Sequence, residues 1–249
     1  MQSESRQAHW EDVYIKKGEN EVSWFQENPT PSLELIAQVG ATPTSAIIDI
    51  GGGASRLVDS LIDRGFEDVT VLDLSEAALM AAKTRLGNHT EQVHWITADV
   101  TIWEPQKTYD IWHDRAAFHF LTEENDRAAY VVRLERAVKV GGYAIIATFA
   151  LDGPERCSGL PVVRYDPTSL GQTLGRAFRL VDSRRHAHAT PWGSEQPFQF
   201  SVFIRPADRQ SRLIPIGPLA RQGRSRIALS VPFFFLFGLP YIRETAGGT

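Results

Sequence analysis

The chain has almost no cysteine. Cys157 stands alone among 249 residues, which excludes an intramolecular disulfide and a cysteine-cluster metal site. Excess charge is scarce as well, and a formal net charge of −4 carries no global signal for nucleic acid. A membrane-spanning run is missing. The nearly apolar stretch from Ile227 to Ile242 is shorter than the ~20 residues a spanning helix needs and is broken by Pro232 and Pro240. Residues Met1 to Gln7 are polar with no apolar run behind them, so no secretory leader is expected and a cytoplasmic location fits. Internal repeats and low-complexity tracts are absent too. What remains, 43 % hydrophobic and 22 % charged residues, is ordinary for a globular chain long enough to build one domain with a sizeable core.

What is present centres on the stretch Ala46-Ile47-Ile48-Asp49-Ile50-Gly51-Gly52-Gly53-Ala54-Ser55. Its apolar, β-branched start reads as a buried strand. Three glycines then let the backbone turn tightly and a ligand approach closely. Leu57, Val58, Leu61 and Ile62 follow on one helical face. A second strand, Val69-Thr70-Val71-Leu72-Asp73, ends in an acid about 20 residues past the glycines, where nucleotide-binding βαβ units place the carboxylate that binds a ribose. A dinucleotide oxidoreductase is the rival reading. Its G-x-G-x-x-G/A fingerprint is met by Gly51 and Gly53, but Arg56 stands at the third position.

Taken in order, the chain opens with a segment, residues 1–29, that precedes the core. Trp10, Val13 and Tyr14 have helical spacing, and an aromatic connector with Trp24 and Phe25 follows. These aromatics could cover one end of a sheet or form a lid over a ligand pocket. Thr30-Pro31 reads as an N-cap and first helical residue, with Gly40 as the stop. Ser75 caps a helix over residues 76–86, Val93 to Thr97 is a third strand, and Tyr109 to His113 a shorter fourth. Thr122 opens a helix that Gly141-Gly142 is expected to end, and Tyr143 to Phe149 is a buried strand. Asp166 to Leu174 reads as a further helix. Two late strands, Phe178 to Ser183 and Phe198 to Ile204, have no helix between them, so they form a hairpin and one strand runs antiparallel.

The series Asp49-x-Gly51-x-Gly53 followed by Asp73, with that closing hairpin, resembles the class I S-adenosylmethionine-dependent methyltransferases over residues 9–204. The resemblance implies an α/β, Rossmann-like seven-stranded sheet, mostly parallel with a C-terminal antiparallel hairpin and helices on both faces. It implies S-adenosylmethionine as cofactor. Asp49, Gly51 and Gly53 would approach its methionine part, Asp73 with Leu74 its ribose, and Asp99 with Val100 its adenine. Within the family, Tyr109-Asp110-Ile111-Trp112-His113-Asp114-Arg115-Ala116-Ala117, with Asp126-Arg127 before Tyr130, resembles the W-D-R-G/A-A-L segment of thiopurine S-methyltransferase-like enzymes. It also resembles the D-K-G-T-L/F-D segment of a group of protein-lysine methyltransferases, with His119 in place of their second aspartate. Residues 30–205 would be the methyltransferase domain and residues 206–249 a C-terminal extension.

Asp114 and His119 follow the fourth strand, near where the methyl group should point, and are the catalytic candidates. Asp114 would orient a substrate, or more plainly anchor its loop by bonding backbone amides. His119, between two phenylalanines, would be a base or a satisfied core histidine. His113 is expected to turn into the helical layer by strand alternation. Trp10, Trp24, Phe25, Arg156 and Arg164 are the acceptor-side candidates, the arginines for an anionic acceptor. Cys157 lacks an activating partner. His186-x-His188 has no third ligand nearby, so no metal is expected. The segment from Arg205 to Arg226, at the start of the extension, carries six arginines against one acid, Asp208. It could rest on an anionic membrane surface, but a poorly ordered extension is preferred. The function expected is methyl transfer to a small molecule, such as a thiol. The alternatives are a protein lysine acceptor and a cofactor-binding protein without catalysis. Oligomeric state is left open.

Overall fold

The structure, a computed structural model, describes residues 3–207. The expectations for residues 208–249, the arginine-rich segment and the phenylalanine run, lie outside the described residues.

The apolar runs form strands as their composition dictates: β1 (Ile47–Ile50), β2 (Val69–Asp73), β3 (Val93–Thr97), β4 (Tyr109–Arg115), β5 (Val138–Phe149), β6 (Arg156–Cys157), β7 (Leu160–Pro161), β8 (Arg179–Ala189) and β9 (Glu195–Ile204). Among the described residues six α-helices alternate with them: α1 (Ser3–Lys16), α2 (Thr30–Gln38), α3 (Leu57–Asp63), α4 (Glu76–Leu86), α5 (Glu124–Ala137) and α6 (Pro167–Leu174). The sheet has seven strands in the order β3-β2-β1-β4-β5-β9-β8. β9 alone runs antiparallel, paired on both sides to β5 and β8. The fold is therefore the Rossmann-like seven-stranded sheet expected from the sequence.

Strand alternation divides the core into two layers. Ile47, Ile111 and Ile145 turn to one face, against Leu35 and Ile36 of α2 and Leu57 and Leu61 of α3. Ile48, Trp112 and Ile146 turn to the other, against Tyr130 and Leu134 of α5 and Leu170 of α6. Strand order reverses at β1, which has β2 on one side and β4 on the other. That reversal opens a crevice at the C-terminal strand ends, where such sheets bind ligands. Two loops meet there. A Cβ on Gly51 would come within 2.7 Å of the Ala117 Cβ, so the turn after β1 closes on the loop after β4 only because residue 51 is glycine.

Several boundaries differ from expectation. Thr30 is the first residue of α2 rather than its cap, and no side chain caps that helix. β4 continues two residues further, carrying Asp114 and Arg115 inside the sheet. Gly141-Gly142 do not end α5, which stops at Ala137. They lie within β5, where Gly141 donates to the Arg205 carbonyl at 2.7 Å and Arg205 to the Gly142 carbonyl at 2.9 Å. A Cβ on Gly142 would meet the Asp110 carbonyl at 2.9 Å, so the glycine serves close backbone approach. The closing hairpin strands are longer than expected and carry His186 and His188 inside β8. The small hairpin β6–β7, turning through Ser158 and Gly159 at positive φ, has no apolar alternation to reveal it. Among the described residues no helix is long and apolar enough to cross a membrane.

Candidate active site

A cavity lies in the crevice. Its floor is Ile50 and Gly51 after β1, Leu72, Asp73 and Leu74 at the end of β2, and Ala98, Asp99 and Val100 after β3. Its far end is Arg115, Ala116 and Ala117 after β4, with Cys157 of β6 beside them. Trp10, Tyr14 and Trp24 cover it.

Asp73 is buried, and its carboxylate accepts the Ser75 amide at 2.8 Å. Burial pushes the carboxyl up to about 7, while amides of Ser75, Gly53 and Leu74 pull it down and the Asp49 charge raises it further. A Cβ on Gly53 would meet an Asp73 carboxylate oxygen at 2.8 Å, so glycine there lets the turn pack on this acid. Asp49 is placed differently. It does not line the cavity; its carboxylate sits under the glycine turn, 2.6 Å from His113 Nδ1, and His113 Nε2 lies 2.8 Å from the Ser32 hydroxyl of α2. All three are buried, so this Asp-His-Ser row ties β1, β4 and α2 together beneath the turn.

Helix α1 is fastened across the cavity at two points. The Glu11 carboxylate accepts from the Ser75 hydroxyl at 2.8 Å and the Ala77 amide at 3.2 Å, at the N-terminus of α4, where negative charge is favoured. Arg6 is buried and donates to Asp99 at 2.7 Å and to Asp126. Burial alone would lower the Arg6 pKa; the carboxylates of Asp99 and Asp126 outweigh it and raise the value. Asp99 also accepts the Thr101 amide and hydroxyl. Aromatic edges complete the cover, Trp10 lying 5.6 Å from Trp24 and 4.9 Å from Phe120 between ring centres. Phe25 lines a smaller adjoining cavity, stacked under the Arg56 guanidinium. From behind, His188 of β8 bonds the Ser23 carbonyl at 2.7 Å and holds the connector in place.

The end of β4 sorts the catalytic candidates. Asp114 is fully buried, away from the cavity, and its carboxylate is filled by the Ala117 amide at 2.9 Å, the Phe118 amide at 3.1 Å and the Tyr130 hydroxyl at 2.7 Å. Burial pushes this carboxyl up to about 6 against those donors. It anchors the loop that carries Ala116, whose φ of 71° is a strained conformation for a residue other than glycine. His119 also lies outside the cavity lining. Its Nδ1 accepts the Phe149 amide at 3.3 Å, Nε2 is buried without a partner, and burial with the nearby Arg115 charge lowers its pKa to about 3. Such an imidazole is neutral, with its only acceptor nitrogen occupied. Arg156 and Arg164 bond carbonyls and Glu155 within their own hairpin and do not reach the cavity. Among the described residues no group of His, Cys, Asp and Glu is placed to hold a metal ion.

The cavity thus brings together the expected Asp73, Leu74, Asp99, Val100 and Gly51 on its floor and Trp10 and Trp24 on its cover. Sequence reading missed Arg6, Glu11 and Arg115 as parts of the site. Arg6 had a signal, because Arg6, Trp10 and Tyr14 recur every four residues and share a helix face.

Residues 47–142 match the methyltransferase domain family. Over 171 residues the chain is 28 % identical to the trans-aconitate 2-methyltransferase of Rhizobium rhizogenes, covering 68 % of this chain and 62 % of that one. It is 25 % identical over 151 residues to the mouse eEF1A lysine and N-terminal methyltransferase, 57 % of this chain but 21 % of that one. The chain thus spans a fifth of one relative's length and less than two thirds of the other's. The structure of the Burkholderia thailandensis 1,6-didemethyltoxoflavin N1-methyltransferase with S-adenosylhomocysteine shares the fold, with a TM-score of 0.59, 20 % identity and coverage of 82 % and 85 %. Domain match and fold together give residues 47–142 the likeness of a methyltransferase domain set in a Rossmann-like sheet. Domains of this likeness use S-adenosylmethionine, and the cavity fits that cofactor on its own terms. The buried Asp73 carboxylate, bonded to amides, is of the kind that can accept ribose hydroxyls, the glycine turn leaves the space beside it clear of side chains, and apolar Leu74, Val100 and Leu121 suit an adenine.

Proposed function

We propose that this chain methylates a small molecule that is already ionised at neutral pH. The observation that carries the reading is the closure of the cavity by Trp10, Tyr14 and Trp24 over a far end whose charged group is the cation Arg115. S-adenosylmethionine supplies an activated methyl group and a good leaving group. The protein's part is then orientation and exclusion of water. Asp73 would take the ribose hydroxyls, Gly51 and Gly53 the methionine part, and Asp99, Leu74 and Val100 the adenine, with Asp49 bracing the turn. Trp10 and Trp24, and Phe25 beside them, would form a lid.

Among the described residues, with Asp73 given to the ribose and Asp99 held by Arg6 and Thr101, no lining residue is left to act as a general base. Asp114 is filled and outside the cavity, His119 is neutral and walled off, and burial pushes the Cys157 thiol up to about 11. An acceptor that needs no base, a carboxylate or an acidic thiol, is therefore favoured over an amine or a phenol. The likeness of Trp112 to Ala117 to the thiopurine S-methyltransferase-like segment supports a compact acceptor of this kind. A protein lysine is disfavoured, because the aromatic cover of Trp10, Tyr14 and Trp24 narrows the way in for a protein surface and Arg115 repels an ammonium. The test is to offer methyl-labelled cofactor to panels of carboxylic acids, thiols and amines and to a lysate of cells lacking the gene. Labelled low-mass product is expected. Label confined to a lysine of one protein would refute the reading, and cofactor binding without any label would make the protein non-catalytic.

The Asp73 carboxyl also sets a pH dependence. Ribose hydroxyls donate to its ionised form, so binding below about pH 7 must release a proton. Affinity for 5′-methylthioadenosine, which carries the ribose without the amino-acid end, is expected to rise by up to about tenfold per pH unit from about pH 5 and to level off above about pH 7. Calorimetry showing flat affinity over that range would remove Asp73 from the ribose site.

A further inference from the structure

We propose that Arg115 is the carboxylate-binding group of this cavity. The proposal rests on the methyltransferase reading only for which carboxylate arrives there. Arg115 leaves the end of β4, and its Nη1 donates to the Trp24 carbonyl at 2.8 Å. Its Nε and Nη2 are buried and have no partner among the described residues. These two nitrogens form one edge of the guanidinium, the edge that meets both oxygens of a carboxylate side-on.

The surroundings leave the charge unanswered. One face of the guanidinium lies 5.2 Å from the centre of the Phe198 ring. Arg115 forms no ion pair among the described residues, whereas Arg6, Arg56 and Arg85, around the same cavities, each hold a carboxylate. Asp49 is near enough to favour the charge but is committed to His113. Burial lowers the Arg115 pKa to about 10, so the group remains a cation at neutral pH. A cation whose two-donor edge is buried and unpartnered is costly to keep unless a ligand pairs with it. The lining offers a single arginine at this end, among aromatic and small residues, which suits a planar, singly charged anion better than a phosphate.

Two carboxylates could reach this edge, the one on the amino-acid end of the cofactor and one on the acceptor. Binding of S-adenosylhomocysteine and of 5′-methylthioadenosine to the parent, Arg115→Gln and Arg115→Lys distinguishes them. If the cofactor's carboxylate docks, Arg115→Gln weakens S-adenosylhomocysteine by ~30-fold or more and leaves 5′-methylthioadenosine unchanged, with Arg115→Lys in between. If the acceptor's docks, both nucleosides bind Arg115→Gln as they bind the parent. Trans-aconitate or benzoate, added to the S-adenosylhomocysteine complex, then binds the parent at least ~10-fold more tightly than the variant. Should the parent bind neither nucleoside, the cofactor reading fails, and benzoate binding to the free protein still tests Arg115. Arg115→Gln is expected to melt at or above the parent temperature, because it removes an unpaired buried charge. A sharp drop in melting temperature, or equal affinity of parent and variant for every carboxylate probe, would overturn the proposal.

Discussion

Replacing Asp73 by alanine is expected to weaken S-adenosylmethionine binding by ~30-fold or more, about 2–3 kcal/mol, while the protein stays folded. The carboxylate is the acceptor at the end of β2 that faces the cavity, and its protein partners are backbone amides. Two hydroxyls of a ribose would complete its hydrogen bonding, and a charge-assisted bond is stronger than a neutral one. The fold should tolerate the change. Loss of the amide bonds is offset by relief of a carboxylate that burial has already made reluctant to ionise. Calorimetry and a melting curve on the same preparation separate the two effects. Unchanged affinity would move the ribose elsewhere, and a preference for NADH would overturn the family assignment.

Asp114→Ala is expected to act on stability rather than on chemistry. It leaves the Tyr130 hydroxyl and the amides of Ala117 and Phe118 without their acceptor in a buried place. Stranding such a network costs about 3–5 kcal/mol, a fall in melting temperature of about 10 °C. The Trp112 indole, which donates to the Tyr130 oxygen at 2.7 Å, would lose its fixed neighbour as well. The loop that brings Ala116 and Ala117 against Gly51 would loosen, so cofactor affinity should fall as a consequence. A variant that melts with the parent yet loses turnover would return Asp114 to the reacting groups. His119→Phe gives the contrast: removing a buried, unpartnered nitrogen should leave turnover within a few-fold of the parent.

Part of the site was readable because its residues follow one another along the chain. Asp49, Gly51 and Gly53 belong to one turn, and Asp73 and Asp99 each close a strand that its own apolar run identifies. Asp114 and His119 show where such reading stops. Both are expected beyond the end of β4, yet the strand runs two residues further, which turns Asp114 toward Tyr130 and leaves Arg115 lining the cavity. Alternation assigns such faces only once the strand's end is known. Gly141-Gly142 misled for a related reason. Glycine ends helices, but it also permits close approach of backbones, and only the position of the Asp110 carbonyl distinguishes the two.

By itself the sequence determined the strand and helix alternation, the antiparallel closing strand, the glycine turn and the acids at the strand ends. Each of these depends on neighbours within a few residues, through backbone sterics, side-chain periodicity and capping. Tertiary structure decided which charges are answered and which are not. Arg6 meets Asp99 across 93 residues of chain. Arg115 reaches the Trp24 carbonyl across 91. Whether a side chain is catalytic, structural or waiting for a ligand depends on what fills its hydrogen bonds. In a cavity built from six separate strand ends and loops, those partners come from distant parts of the chain and are set by packing, not by local pattern.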